Sequence, residues 1–286
     1  MKEKIDNYPK IGVVVIARNE AENIHDTLDA LFKQTIPLRQ IILVDDNSID
    51  DTLKIAKNFD VNILTFPEIH DNWVTRPELA KIFNYGLRQL DVDNLDFVSI
   101  VGADHILSND YFEQLTRRMM TDNSVVASGA IQGEIATAPR GSGRVIRKEF
   151  WKKIGSELPV NFGYETYVYV KAMQLGFNVS YYDDIITKTS RQTAITYKPI
   201  MYYHYGYAMR ALGYPFLHTF LRAVLLLKRG KGLKSFRLFL KGYFSNKATF
   251  YEESLRNFIS KRYNTRRVFS NPTGKIKRFM DTKYWS

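Results

Sequence analysis

The 286-residue sequence contains no cysteine, which excludes disulfide bonds and metal sites built on thiolates. It also lacks a long apolar run: the stretch YPFLHTFLRAVLLL at residues 214–227 is interrupted by His218 and Arg222, and is shorter than the ~20 residues that cross a bilayer. The first ten residues, MKEKIDNYPK, have no apolar segment typical of a signal peptide. We therefore expect a cytoplasmic protein, at most peripheral on the cytoplasmic face of a membrane.

Acidic residues are scarce in the C-terminal part of the chain. From residue 201 onward there are 18 Lys+Arg and only 3 Asp+Glu, whereas the whole chain has 41 and 30. Such a local excess of positive charge favours an anionic partner, which could be a membrane surface, a phosphate-bearing substrate or nucleic acid.

Apolar runs and helical patterns alternate through the first hundred residues. The runs IGVVVI, QIILVDD, VNILTF and DFVSIVGAD are typical of buried strands, and segments with apolar residues at helical spacing separate them. This alternation predicts an α/β fold with a mostly parallel central sheet flanked by helices, in a Rossmann-like arrangement. From Tyr202 the pattern becomes aromatic, apolar and basic at helical spacing. We predict two parts, a catalytic domain at 1–200 and a basic amphipathic helical extension at 201–286.

Polar side chains follow three of the predicted strands. The first strand is followed by Arg18 and Glu20, the second by Asp46, and the fourth by Asp104 and His105. Any one of them could be a helix cap or a solvated turn residue. Because ligands bind beyond the carboxyl ends of parallel strands, the three groups together predict a binding site.

The glycine-rich loops that cradle phosphates, G-x-G-x-x-G and G-x-x-x-x-G-K-[ST], are both absent, so phosphates would need a divalent metal ion or side-chain cations. Asp104 is a hard oxygen ligand suited to Mg²⁺ or Mn²⁺. His105 would suit Mn²⁺ if it is a ligand at all; alternatively it packs on the strand end. A carboxylate at Asp45 or Asp46 accepts hydrogen bonds, which favours the ring N–H of uracil or guanine.

Three blocks resemble glycosyltransferase family 2, over roughly residues 10 to 185. They are VVVIARNEAENIHDTLDALFKQTIPLRQIILVDDNSIDDT, then GAD, then GYETYVYVKAMQLGFNV. The resemblance implies the GT-A fold and an inverting enzyme that transfers a sugar from a UDP- or GDP-sugar to a hydroxyl or phosphate acceptor, on a glycan or a lipid-linked molecule.

The resemblance also implies roles for individual residues. Gly102 stands where the family's metal-binding D-x-D motif has its first aspartate, and Asp104 stands at the second. Glu165 falls at the position of the catalytic base. The residues implied in nucleotide-sugar binding are Ile16, Arg18, Glu20, Asp46, Arg76, Asn84, Ala103 and Asp104.

An inverting transfer needs a base for the acceptor hydroxyl and positive charge near the leaving nucleoside diphosphate. A base, here Glu165, removes the proton of the acceptor hydroxyl, although a carboxylate at a helix N-terminus could equally be there to favour the helix. Asp104 with Mn²⁺ or Mg²⁺ would offset the charge on the leaving nucleoside diphosphate, and Arg144 is the leading side-chain cation for the same purpose.

Two other functions are weighed against this one. A sugar-nucleotide pyrophosphorylase would need a glycine-rich basic loop after the first strand, where the sequence has ARNEAENI. A nucleic-acid-binding protein would use the basic extension, but it would leave the acidic strand ends without a purpose. The extension itself could lie on anionic lipid near a lipid-linked acceptor, or its helices could simply pack on the catalytic domain.

Overall fold

The computed structural model describes residues 8–70, 76–134, 136, 138–190 and 199–264. The strands in these ranges are β1 Ile11–Ala17, β2 Gln40–Asp45, β3 Asn62–Thr65, β4 Phe97–Gly102, β5 His105–Ile106, β6 Ser124–Ile131, β7 Arg144–Arg147 and β8 Asn178–Thr189. The α-helices are α1 Ile24–Phe32, α2 Thr52–Ala56, α3 Leu79–Leu87, α4 Tyr111–Asp122, α5 Lys148–Lys153, α6 Tyr164–Gln174, α7 Ile200–Leu212, α8 Phe216–Lys228, α9 Gly232–Tyr243 and α10 Glu253–Arg262.

All eight strands belong to one sheet, in the order β3-β2-β1-β4-β7-β6-β8-β5. The first four strands are parallel, and β6 is parallel to β8, whereas β7 runs antiparallel to both of its neighbours. The predicted α/β class with a mostly parallel sheet is therefore confirmed. From β1 the chain adds β2 and β3 on one side and then β4 on the other, so the topological switch point lies between β1 and β4.

The central strands are buried on both faces, which explains their continuous apolar sequences. Val13 and Val15 of β1 are fully buried in the same apolar cluster as Ile24 and Leu28 of α1. On the opposite face α3 comes close to the sheet at Gly86, where a Cβ atom would lie 2.6 Å from a methyl group of Val14. The sheet is thus covered by a helix on each face, and its strand ends are held in fixed positions.

The described residues form two compact units. The sheet unit comprises residues up to 70, 80–158 and 176–190; the helical unit comprises 76–79, 159–175 and 199–264. The predicted division places residues 159–175 with the sheet, but in the structure α6 packs with the C-terminal helices. Its Tyr167 ring stacks on Tyr251 at 5.1 Å, and Lys171 forms an ion pair of 2.7 Å with Glu252 just before α10.

The helical unit is built around a close crossing of α7 and α9. Gly206 of α7 faces the carbonyl group of Phe239, and Gly242 of α9 faces the carbonyl group of Tyr203. A Cβ atom at either glycine would clash with backbone, so the two helices touch through their main chains. None of the helices in the described ranges is long and apolar enough to cross a membrane.

Candidate functional site

The switch point of the sheet gathers the polar strand ends that the sequence predicts. Ile16, near the end of β1, pairs in register with Val44 of β2 on one side and Gly102 of β4 on the other. Adjacent strands lie about 4.8 Å apart, so the ends of β2 and β4 are separated by roughly 10 Å across β1. Ligands of open α/β sheets bind in this crevice, beyond the carboxyl ends of the strands.

The loops after β1 and β2 are locked together by backbone and side-chain hydrogen bonds. Asn19, whose φ is 54°, donates its N–H to Ser48 Oγ (3.0 Å) and accepts from the N–H of Ile49 (2.8 Å). The N–H of Glu20 donates to Thr52 Oγ1 at 2.7 Å. These contacts fix the first loop against the second without any ligand.

The carboxylate of Glu20 also has a partner in the protein. Its Oε2 accepts a hydrogen bond of 2.8 Å from the side-chain amide of Asn23. The neighbouring Asp50 carboxylate is slightly desolvated, which raises its pKa, but hydrogen bonds from Thr52 and from the N–H of Ala21 outweigh this and lower the pKa below its usual value. Both acidic groups therefore help to hold the loops, and the predicted contact of Glu20 with a nucleotide stays a prediction.

Asp46 is the centre of a polar cluster in which the side chains of Asp46 and His70 are buried and that of Arg18 is half-buried. Its Oδ2 lies 3.2 Å from Arg18 Nη1, and its Oδ1 lies 2.8 Å from His70 Nε2. Arg18 also donates to the carbonyl of His70 at 2.8 Å and approaches His70 Nδ1 at 3.3 Å. Since the guanidinium of Arg18 has only donors, Nδ1 of His70 accepts its hydrogen bond. Nε2 of His70 then carries the proton and donates a hydrogen bond to Asp46.

This cluster positions a carboxylate that can still bind a ligand. Each oxygen of an ionised carboxylate can accept two hydrogen bonds, and within the cluster each oxygen of Asp46 accepts one. A ring N–H could therefore be accepted without displacing Arg18 or His70. Sequence reasoning did not find His70, because nothing in the segment after β3 marks it as a partner of Asp46.

Asp104 stands two residues beyond the end of β4, next to a position without a side chain. A Cβ atom on Gly102 would lie 3.1 Å from Asp104 Oδ1 and 3.5 Å from Ser142 Oγ. The backbone of Asp104 is held by a hydrogen bond of 2.9 Å from the N–H of Ser190. The glycine in place of a first aspartate thus leaves room for Asp104 and for Ser142, whose hydroxyl accepts the N–H of Gly102 at 2.8 Å.

The side chains at this strand end could hold a metal ion only if other ligands bind it as well. In the described ranges no group of three or more His, Cys, Asp or Glu side chains is arranged to hold a metal. A single half-buried carboxylate cannot form a closed site, but Mg²⁺ and similar hard cations are often held by one or two carboxylates together with substrate phosphates. Asp104 therefore fits a cation that arrives with a diphosphate.

His105 is buried, and both of its ring nitrogens have hydroxyl partners. Nδ1 lies 2.7 Å from Ser142 Oγ, and Nε2 lies 2.7 Å from Thr187 Oγ1. Thr187 donates its proton to the carbonyl of Ala130 (2.9 Å), so Nε2–H is the donor to Thr187, and Nδ1 accepts from Ser142. The imidazole is thus engaged within the protein, which favours the alternative that His105 packs at the strand end; its role as a metal ligand stays a prediction.

The same surroundings keep His105 uncharged. Burial, with a smaller contribution from the positive charge of Arg140, lowers the pKa of His105 to about 4. A neutral imidazole is what the hydrogen-bond pattern requires, because a protonated ring could not accept from Ser142. His105 supports the loop that carries Ser142, and thereby the end of β4.

Asn84 is also part of the framework of the sheet unit. Its side chain is 2% exposed. Its Nδ2 donates to the carbonyl of Leu158, and its Oδ1 accepts the N–H of Leu158, both at 2.8 Å. The side-chain amide of Asn84 thus pairs with both backbone polar groups of Leu158, as a neighbouring strand would. Because both ends of the amide are engaged in this way, the geometry argues against the predicted contact of Asn84 with the sugar donor.

Two further predicted residues near β4 are buried. Arg144, at the start of β7, is 1% exposed, and its Nη2 donates to the carbonyl of Pro139 at 3.0 Å. Ala103 is buried, and its carbonyl accepts a hydrogen bond of 2.7 Å from Thr27 Oγ1. In this structure neither side chain presents a surface to a diphosphate, so we assign neither a ligand contact.

Arg76 and Glu165 belong to the helical unit. Arg76 is exposed, and its charge adds to burial in lowering the pKa of His204. Glu165 is exposed in the first turn of α6, which begins after Gly163 at a φ of 83°. A carboxylate in this position is stabilised by the helix dipole and is accessible to an acceptor molecule.

Comparison with known proteins adds a family to this geometry. The sequence profile described as Glycosyl transferase family 2 matches residues 12–186, which is more than half of the chain. The match starts in β1 and ends in β8, so it contains every strand end described above. No curated protein sequence is similar enough to this chain to count as a match.

Several solved glycosyltransferases have the same fold. S. aureus TarS has 20% sequence identity and a TM-score of 0.52 over 70% of this chain, which spans 38% of the TarS chain. Mannosyltransferase PcManGT from Pyrobaculum calidifontis, solved with GDP-Man and Mn²⁺, has 15% identity and a TM-score of 0.57, covering 94% of this chain and 78% of its own.

A third is glucosyl-3-phosphoglycerate synthase from Mycobacterium tuberculosis, solved with Mn²⁺, UDP and glucosyl-3-phosphoglycerate. It has 16% identity and a TM-score of 0.53, with 80% of this chain and 82% of its own covered. TarS 1–349 was also solved with UDP-GlcNAc. These similarities show the GT-A fold. The sequence match shows that the chain belongs to glycosyl transferase family 2 and is a glycosyltransferase.

Proposed function

We propose that the protein transfers a sugar from a UDP- or GDP-sugar to a hydroxyl or phosphate acceptor, with inversion at the anomeric carbon. The observation that carries this proposal is the pairing of two different carboxylates on either side of the switch point. Asp46 is held by Arg18 and His70 after β2, and Asp104 follows β4, about two strand spacings away. One can receive a base and the other can act at the diphosphate.

The choice of base follows from the chemistry of Asp46. Its carboxylate accepts hydrogen bonds only, and both Arg18 and His70 direct their protons towards it. Uracil N3–H and guanine N1–H are donors, whereas the corresponding ring nitrogens of cytosine and adenine are acceptors. The site therefore favours a uridine or guanosine donor. Among the similar structures, TarS was solved with the uridine donor UDP-GlcNAc and PcManGT with the guanosine donor GDP-Man.

The diphosphate end is assigned to Asp104. A Mn²⁺ or Mg²⁺ ion would be held by this carboxylate and by diphosphate oxygens, and it would neutralise negative charge on the leaving group. The presence of Mn²⁺ in the PcManGT and glucosyl-3-phosphoglycerate synthase structures supports a divalent ion of this kind.

The acceptor is activated by Glu165 in this proposal. Its carboxylate takes the proton of the acceptor hydroxyl while the acceptor oxygen forms a bond to the anomeric carbon. The bond between that carbon and the β-phosphate oxygen breaks, the nucleoside diphosphate leaves, and the configuration inverts in a single displacement.

We further propose a lipid-linked molecule or a glycan as the acceptor, and a cytoplasmic location with peripheral contact to the membrane.

The release of UDP or GDP from a panel of nucleotide sugars tests the proposal. We expect release from one UDP- or GDP-sugar in the presence of Mn²⁺ and its acceptor, and a product whose anomeric configuration, read by NMR, is opposite to that of the donor. Glu165→Gln should lower kcat by roughly 10²–10⁴-fold. The matched control is Glu253→Gln, an exposed glutamate in the first turn of another helix of the same unit.

Two outcomes would contradict the proposed roles. Retention of configuration would exclude single displacement. Full activity in Glu165→Gln, with the control also active, would exclude Glu165 as the base. The variants should unfold at nearly the native temperature, because both side chains are exposed.

A further inference from the structure

The helix α8 has an unusual distribution of side chains between its two faces. His218, Thr219 and Ala223, which are polar or small, face the interior of the helical unit and are buried. Leu225 is buried with them, but several other large apolar side chains of the helix lie on its outer side, and Phe216 is 46% exposed. Leu217, Phe220, Val224 and Leu227 follow the spacing i, i+3, i+7 and i+10, so they form one apolar stripe along the outer face.

The stripe continues onto α9. The ring centroids of Phe216 and Phe244 are 5.3 Å apart, and those of Phe220 and Phe236 are 6.2 Å apart. Phe244 is 64% exposed and follows the last residue of α9, while Leu233 is exposed near its start. The hairpin formed by α8 and α9, residues 216–244, therefore presents one apolar surface built from both helices.

Positive charge accompanies this apolar surface. The hairpin contains seven Lys+Arg and no Asp or Glu. Six of these basic side chains are exposed, namely Lys228, Arg229, Lys231, Lys234, Arg237 and Lys241. An exposed apolar patch beside basic residues is the composition that binds the interface of an anionic bilayer.

We propose that the α8–α9 hairpin is a docking face for an anionic lipid bilayer. Its apolar stripe lies at the level of the acyl chains, and its basic side chains contact the lipid phosphates. Two other occupants are disfavoured by charge. A second copy of the chain would bring the same seven positive charges to the contact, and residues 265–286 contain six Lys+Arg and one Asp. This inference rests on the peripheral membrane contact proposed above and names the surface that makes it, but it does not depend on the proposed sugar donor.

Sedimentation of the full chain with lipid vesicles tests the inference. The vesicles are made of phosphatidylcholine alone or of phosphatidylcholine with one third phosphatidylglycerol. The apolar variant replaces three stripe residues: Leu217→Gln, Val224→Gln and Leu227→Gln. Its matched control makes the same change at three exposed apolar residues of the sheet unit: Phe32→Gln, Met120→Gln and Ile186→Gln.

A second pair of variants tests the charge. Lys228→Gln, Lys231→Gln and Lys234→Gln are combined in the hairpin, and Lys33→Gln, Lys54→Gln and Lys57→Gln are combined in the control. Each basic residue near an anionic surface contributes about fivefold to the partition coefficient, so the loss expected for three is on the order of 100-fold. The apolar variant should lose at least about 10-fold, and both controls should bind like the native chain.

Several results would overturn the inference. One is the absence of binding to anionic vesicles by the native chain, and another is equal loss of binding in hairpin and control variants. A third is a native dimer, detected by analytical ultracentrifugation, that dissociates in the apolar variant; the face would then be an interface between copies. Stabilisation of the sheet unit by UDP or GDP should be the same in all variants, which separates this test from that of the donor site.

Discussion

Asn84 gives the sharpest test of how the structure assigns a role to a single residue. The resemblance to the family implies that Asn84 lies near the donor, whereas the structure shows it clamping the backbone of Leu158. Replacing it with alanine leaves a buried N–H and a buried carbonyl without their partner. Each such group costs about 1–3 kcal/mol, so the free energy of unfolding should fall by roughly 2–6 kcal/mol.

The expected shift in melting temperature follows from the size of the unit. For a domain of this size, 1 kcal/mol corresponds to about 2–4 °C, so we expect Asn84→Ala to unfold roughly 4–24 °C below the native chain. Asn84→Leu keeps the volume and removes the hydrogen bonds, and it should show a similar loss. Asn58→Ala changes an exposed asparagine and should have an effect of less than about 0.5 kcal/mol.

The assay is thermal unfolding followed by circular dichroism, with and without UDP or GDP and Mn²⁺. If Asn84 is structural, Asn84→Ala lowers the melting temperature, but the upward shift caused by the nucleotide keeps its native size. The reasoning is refuted if Asn84→Ala melts like the native protein while the nucleotide-induced shift disappears.

Three further changes have defined outcomes. Burial lowers the pKa of His105 to about 4 from the 6.5 of the unfolded chain, so the unfolded state takes up this proton first as the pH falls. The contribution of His105 to the free energy of unfolding should therefore drop by up to about 3 kcal/mol between pH 6.5 and 4. In denaturant titrations His105→Gln should remove this part of the pH dependence, whereas the control His25→Gln should keep it. Gly206→Ala would clash with the backbone of α9, whereas a Cβ atom at Gly232 meets open space at a φ of 79°. Gly206→Ala should therefore lower the free energy of unfolding by more than Gly232→Ala, which should cost about 1 kcal/mol; chemical unfolding of both variants measures the difference. Asp46→Asn should abolish the preference for UDP or GDP over ADP and CDP in binding measured by calorimetry, since an amide can also donate; an unchanged preference would contradict base recognition by Asp46.

The strands of the switch point could be predicted from the sequence because their signal is local. IGVVVI, QIILVDD and DFVSIVGAD are continuous apolar runs, and the structure has strands at Ile11–Ala17, Gln40–Asp45 and Phe97–Gly102. Strands buried on both faces need apolar residues at every position, so the sequence itself marks them. The position of the carboxylates Asp46 and Asp104 just beyond these strands could be predicted for the same reason, whereas their roles stay predictions.

The partners of polar side chains could not be predicted in this way. Asn84 bonds to a residue 74 positions away, and His105 bonds to Ser142 and Thr187, which are 37 and 82 positions away. No local pattern marks such pairs, so a buried framework residue and a ligand-binding residue look alike in the sequence. The packing of α6 in the helical unit was missed for a similar reason, since helical spacing defines an apolar face but not the element that covers it.

One measurement tests the central claim, that Asp46 and Asp104 form a metal-dependent site for a uridine or guanosine diphosphate. Thermal unfolding is recorded with UDP, GDP, ADP and CDP, each with and without Mn²⁺, for the native chain, Asp104→Ala and the exposed control Asp60→Ala. At about 100 times its dissociation constant a nucleotide should add about 2.7 kcal/mol. We predict stabilisation by UDP or GDP that requires Mn²⁺, persists in Asp60→Ala and is lost in Asp104→Ala. Stabilisation by none of the nucleotides, or equal stabilisation in Asp104→Ala, would contradict the account.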